Sequence, residues 1–149
     1  MAGESVVETL LHKMKMVELG NLFIIKLLER IAEHDDTKLS SPEVEAFDRM
    51  AGTIGAITYG SEEETEAKEQ LKDALIHHYA RERHHPEHFE NGVKDMNMLD
   101  LVEHFLDCLS ASIRHDDGNF RFSLKNNAER FHYSEEITKI FENTIDLFD

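Results

Sequence analysis

The chain has 149 residues, a formal net charge of -15 and a single cysteine. Its length suits one domain that buries most of its apolar surface without disulfides, and the lone Cys108 excludes an internal disulfide and fits a reducing, cytoplasmic setting. A charge this negative argues against general nucleic-acid binding, because phosphate backbones are held by clustered Lys and Arg; a small phosphorylated substrate remains compatible, since a bound dication reverses the potential locally.

Hydrophobic periodicity is helical along nearly the whole chain, which predicts an all-α domain spanning residues 1–149. Val6, Val7, Leu10, Leu11, Met14 and Val17 recur at three-and-four spacing and predict a first amphipathic helix over 4–18. Gly20-Asn21 reads as a break. Residues 21–34 are the most apolar stretch and predict a second helix in the middle of a bundle. Lys26, Glu29 and Arg30 make it too charged for a membrane span, and the residues before it do not read as the basic, apolar, small-residue pattern expected of a signal.

Ser41-Pro42-Glu43 reads as cap, first helical residue and acidic first turn of a third helix that ends between Gly52 and Gly60. The acidic run from Ser61 opens a fourth helix that continues through Leu71, Ala74 and His78 and loosens before Pro86. Residues 97–114 predict a fifth helix, Asp116-Asp117-Gly118-Asn119 a turn, and Ser134–Phe148 a closing amphipathic helix.

The residues that carry chemistry are histidines and acids. His34-Asp35 stands at the end of an apolar run, with Lys38 completing H-D-x-x-K, and five of the ten histidines fall between His77 and His88. Imidazole and carboxylate are the usual ligands of borderline and hard divalent metals. His77 and His84, like His78 and His85, are seven residues apart and share a side if the helix runs that far. Asp107 sits within Phe105-Leu106-Asp107-Cys108-Leu109, where a carboxylate taken from water needs a cation or hydrogen bonds to compensate it, unless it simply points outward. Asp100, Glu103 and Asp107 share one side of the fifth helix and offer one ligand with supporting acids, or simply a wet face. Spacing does not nominate His12, which lies off the main apolar stripe with Met16 and Leu19.

The order His12, His34-Asp35, Asp107 resembles the H…HD…D pattern of the HD-domain superfamily of metal-dependent phosphohydrolases, and His84-His85-Pro86-Glu87 is similar to the paired histidines of its binuclear branch. Lys38, Pro42-Glu43, Tyr59-Gly60-Ser61, Arg83 through Phe89, and Arg114 with Asp117-Gly118 resemble more closely a small uncharacterised HD-like family of bacteria and phages, over nearly the whole chain. The Gly-Tyr-Pro segment of the binuclear branch is absent, so a cyclic-dinucleotide phosphodiesterase is not implied. Glu103-His104 and Asp107-Cys108 stand where the closer family would have Glu-Met and Asp-Trp.

The resemblance implies an HD-like bundle of six to seven helices. It implies one metal on His12, His34, Asp35 and Asp107 and a second on His78 (or His77), His84 and His85, with Asp35 bridging. Manganese, iron, nickel, cobalt or zinc is expected, with magnesium as a further option. Lys38, Arg81 or Arg83, and Arg114 are the expected phosphate contacts, and Glu43, Glu87 or Glu103 is a candidate for orienting water or a ligating histidine. The activity expected is hydrolysis of a small phosphate ester, a nucleotide above all, by a monomer or homodimer. The alternatives are a di-iron oxygenase on the same fold and a metal-stabilised binding protein without turnover, and metal content with a substrate screen separates the three.

Overall fold

A computed structural model describes residues 3–51, 62–113 and 119–148. Its described residues form seven α-helices and three short 3-10 turns, with no strand, and none of the helices is long and apolar enough to cross a membrane. The chain divides into two compact units, Met1–His34 and Asp35–Asp149.

The first unit is one helix, α1 (Glu4–Ala32). The expected break at Gly20-Asn21 does not occur. A glycine inside a helix costs only about 1 kcal/mol relative to alanine, and the leucines, lysines and glutamates on both sides propagate through it. Nor does the second half occupy a bundle interior. Leu22, Ile25, Leu28 and Ile31 are all exposed, and no residue of α1 is buried.

In the second unit a 3-10 turn, Asp36–Leu39, leads to α2 (Glu43–Met50). Ser41 does not cap α2 as expected. The helix starts at Glu43, whose N–H bonds the Ser40 carbonyl at 3.1 Å. The expected single fourth helix is two, α3 (Glu62–Gln70) and α4 (Lys72–Arg81), parted at the buried Leu71. Ala46, Met50, Ala67, Leu71 and Ala74 join α2, α3 and α4 in one apolar cluster. The turn Asp36–Leu39 packs on both α2 and α4, which brings the segment beginning at Asp35 to the histidines of α4.

After α4 the chain runs through a 3-10 turn at Pro86–His88 and another at Gly92–Asp95. The latter opens at Gly92 with φ +60, a conformation that glycine adopts at little cost. Next come α5 (Met98–Ile113), α6 (Phe120–Phe131) and α7 (Glu135–Ile145). Helix α6 has no counterpart among the sequence expectations. Asn119 caps it by accepting from the Phe122 N–H at 3.1 Å, and Ser134 caps α7 through the Ile137 N–H at 3.3 Å. Phe105, Leu109, Phe120, Leu124, Phe141 and Ile145 form the core of these three helices, with the Phe105 ring edge-on to Phe120 at 5.4 Å. Gly52 to Ser61, Arg114 and the turn expected at 116–118 lie outside the described residues.

Candidate metal centre

Two constraints shape the start of the site. Asp35 adopts a left-handed backbone conformation, φ 61 and ψ 14, which aspartate tolerates better than most side chains. The turn that follows returns Lys38 over Asp35, and the ammonium donates to Asp35 Oδ2 at 2.6 Å while lying 5.5 Å from the centre of the Phe47 ring. H-D-x-x-K is thus an ion pair spaced by one tight turn, and Lys38 secures one oxygen of Asp35.

The other oxygen faces the histidines. Asp35 Oδ1 lies 3.2 Å from His78 Nε2 and 3.7 Å from His84 Nε2, and His78 Nε2 lies 2.9 Å from His85 Nε2. Helix α4 supplies His78 from its last turn. Because α4 ends at Arg81, His84 and His85 come from the irregular segment before Pro86, which turns both rings back toward His78, with centroids 6.0 and 4.8 Å from it. His78 and His84 are fully buried. Asp35, His78, His84 and His85 together form a group that could hold a metal ion.

The tautomer of His78 follows from its other nitrogen. Glu43 has no exposed surface, and its carboxylate accepts from His77 Nδ1–H at 2.6 Å and His78 Nδ1–H at 3.0 Å. The Thr37 hydroxyl donates to Glu43 Oε2 at 3.0 Å and lies 2.9 Å from the same His78 nitrogen. With one proton held on Nδ1, His78 turns its Nε2 to a carboxylate oxygen that carries only lone pairs. Two acceptors at 3.2 Å repel unless a proton or a cation lies between them, so the donor set fits a cation. Glu103, nearly without exposure, approaches His84 Nδ1 at 3.4 Å in the same supporting position, with Glu82 at 3.7 Å.

Protonation of His85 is disfavoured. Burial first, then the neighbouring rings of His84 and His78 and the Lys38 ammonium, push His85 down to about 2, against a smaller upward pull from Asp35. A neutral imidazole gives up no proton on binding a metal, so the ligand is ready at ordinary pH.

The structure distributes the sequence candidates unevenly. Asp35, His78, His84 and His85 meet, and Asp107 on α5 brings a carboxylate oxygen within 4.8 Å of a ring nitrogen of His84. His34 is half-buried and is the last residue of the first unit. His12 does not join it. One unbroken helix runs from His12 to Ala32, a separation of about 30 Å at 1.5 Å per residue, so the two histidines of the first unit cannot grip the same ion. Of the two histidines weighed on α4, His78 enters the group and His77 turns to Glu43.

Arg83 has a different role from the phosphate contact expected of it. Its guanidinium donates to both oxygens of Asp100, at 3.1 and 2.9 Å, and stacks 4.8 Å from the Phe89 ring. Asp100 has no exposed surface and also accepts from the Asn97 N–H at the start of α5, so it is a buried structural carboxylate rather than an acid on a wet face. Arg81 is exposed and reaches its own helix at the His77 carbonyl, and Glu87 pairs with Arg130 at 2.9 Å. Arg114 lies outside the described residues.

Thr37 and the pair His104–Tyr133 were not anticipated. Thr37 is the x before Lys38 in H-D-x-x-K, and only its contact with α2 and α4 shows its role. His104 is buried on α5, bonded to the Tyr133 hydroxyl with the Cys108 thiol 3.8 Å away. Burial, the largest cause, lowers His104 to about 4 against a pull from Asp107, and raises Cys108 to about 12. This thiol is a packed side chain, not a reactive one.

Fold and site together define an all-helical protein with a partly buried histidine–aspartate group able to hold a metal ion. The model of a family of unknown function, DUF5662, matches residues 1–147, and the chain belongs to that family. No curated protein and no solved structure matches the chain.

Proposed function

We propose that the protein is a metal-dependent phosphohydrolase acting on a small phosphate ester, a nucleotide above all. The observation that carries this reading is the convergence of Asp35 Oδ1 with the Nε2 atoms of His78, His84 and His85, in a setting where Glu43 fixes the His78 proton on Nδ1. The resemblance of His34-Asp35 with Lys38 and of His84-His85-Pro86-Glu87 to the HD-type pattern supports the same class.

Asp35, His78, His84 and His85 would hold the ion, with Asp107 beside His84 as a further oxygen ligand. A divalent ion supplies an acidified water and neutralises charge developing on a phosphoryl group. The chain's own residues prepare for this. Glu43 orients the His78 imidazole, Glu103 places a carboxylate 3.4 Å from His84 Nδ1, burial keeps His85 neutral, and Lys38 places a partly exposed positive charge beside the ligands in a chain that is otherwise strongly acidic. That charge suits an anionic substrate drawn to the site against the overall field.

The test is elemental analysis of protein purified without chelator, followed by a screen of phosphorylated metabolites. The reading expects at least one transition metal per chain and phosphate release that a chelator abolishes and added metal restores. Iron accompanied by oxygen consumption would overturn it in favour of an oxygenase. Full metal loading with no turnover on any ester would leave a metal-stabilised binding protein instead.

A further inference from the structure

Helix α1 is long, apolar and bare. At 1.5 Å per residue its 29 residues span about 43 Å, and thirteen of the large hydrophobics along it are between 40 and 67% exposed. An isolated helix of this kind is held in water only weakly by its own hydrogen bonds, and an apolar surface of this extent marks an association site.

The pattern of the helix says what covers it. Val7, Met14, Asn21 and Leu28 recur every seven residues, and Leu10, Val17, Ile24 and Ile31 recur every seven with a three-residue offset. These are the a and d positions of four consecutive heptads, apolar at every place but one. The exception is Asn21 at an a position, which in a two-stranded parallel coil meets its own counterpart and sets the register. The flanking charges agree. Lys13 falls at g and Glu18 at the following e, five residues on, so parallel in-register copies place Lys13 of each against Glu18 of the other. Both are exposed, and the 2.8 Å bond from Lys15 engages Glu18 through Oε2 alone. Leu10, Met14, Val17 and Asn21 line one shallow groove on this face, with Lys13 and Glu18 among its walls.

We infer that α1 is the dimerisation element of this protein and that its occupant is α1 of a second copy, packed parallel and in register with Asn21 against Asn21. The area suffices. The apolar a and d side chains, with Val6, Leu11, Ile25 and Leu27 at e and g, offer on the order of 60 to 120 Å² each, which in sum reaches the roughly 800 Å² per partner of a standard stable interface. The inference is independent of the metal site.

Sedimentation equilibrium of the full-length protein at about 10 µM tests it, together with air oxidation of Asn21→Cys in a Cys108→Ala background. The expected results are twice the chain mass for the native protein, a single chain mass for Val17→Glu/Ile24→Glu, and rapid interchain disulfide formation at position 21 but not in the outward-facing His12→Cys control. Both glutamates replace exposed side chains, so the second unit should keep its fold, read as unchanged helicity of residues beyond α1 by amide hydrogen exchange. A native protein of one chain mass, a double-glutamate variant that stays dimeric, a larger assembly, or a dimer that fails to cross-link at position 21 would each overturn the proposal.

Discussion

Replacing Glu43 with glutamine probes the link between tautomer and metal affinity with one atom's change. Glu43 offers two oxygens, one to His77 Nδ1–H at 2.6 Å and one to His78 Nδ1–H at 3.0 Å, and has no exposed surface. Glutamine keeps one acceptor and turns the other into a donor, so one histidine must move its proton to Nε2. If His78 yields, its ligand nitrogen is lost. If the partly exposed His77 yields, His78 stays in place but loses the anionic partner that raises its basicity. Supporting residues of this kind are worth about 10- to 100-fold in metal affinity, or roughly 1.4 to 2.7 kcal/mol. The assay is competition between apoprotein and a chromophoric chelator for zinc or manganese at neutral pH, with circular dichroism to confirm the fold. Glu45→Gln, exposed on the same helix, is the control, and Thr37→Val should weaken binding by a smaller factor through the same contact. A folded Glu43→Gln protein binding within about twofold of native would refute the account of His78.

Asp35→Ala should remove bound metal while leaving most helicity, since neither apolar cluster includes Asp35; unchanged metal stoichiometry in that variant sinks the ligand assignment. Arg83→Ala strips the guanidinium from a carboxylate with no exposed surface. Losing one partner of a buried pair costs about 3 to 5 kcal/mol, and because Arg83 is itself half exposed we expect about 2 to 3 kcal/mol from urea unfolding, a shift under 0.5 kcal/mol contradicting the structural role. The buried His104 predicts acid sensitivity. Its folded value of about 4 lies below the ordinary 6.5, so the fold prefers the neutral ring. The contribution is whole above pH 6.5 and is lost as pH falls toward 4, amounting to about 3 kcal/mol. Urea midpoints between pH 7.5 and 4.5 should fall less steeply in His104→Gln, and identical slopes would refute the assignment.

Helix identity was legible locally because its signals are local. Pro86 holds His85 in an extended conformation, Ser134 caps α7 through its own hydroxyl, and three-and-four spacing marks α1 and α5 without reference to anything distant. Where the local signals were mixed, the reading failed. Gly20-Asn21 reads as a break although a single glycine costs too little to stop a long helix, and α6 has no counterpart in the sequence reading although Phe120, Leu124, Ala128 and Phe131 recur at three-and-four spacing, because its Asn126, Asn127 and Ser123 are weak helix formers.

The chemistry of the site divides the same way. The sequence by itself determined that imidazoles and carboxylates were present in metal-binding numbers, that Lys38 sits one turn from Asp35, and that His84 and His85 lie at or just past a helix end. Only the tertiary structure decided which of them meet. Packing of the Asp36–Leu39 turn on α2 and α4 selected His78 over His77 for the group, gave Glu43 and Thr37 the task of fixing its proton, and committed Arg83 to Asp100. Residue type sets what an atom can donate or accept, but a 3 Å contact between residues some forty positions apart is set by the close packing of the apolar side chains beneath them.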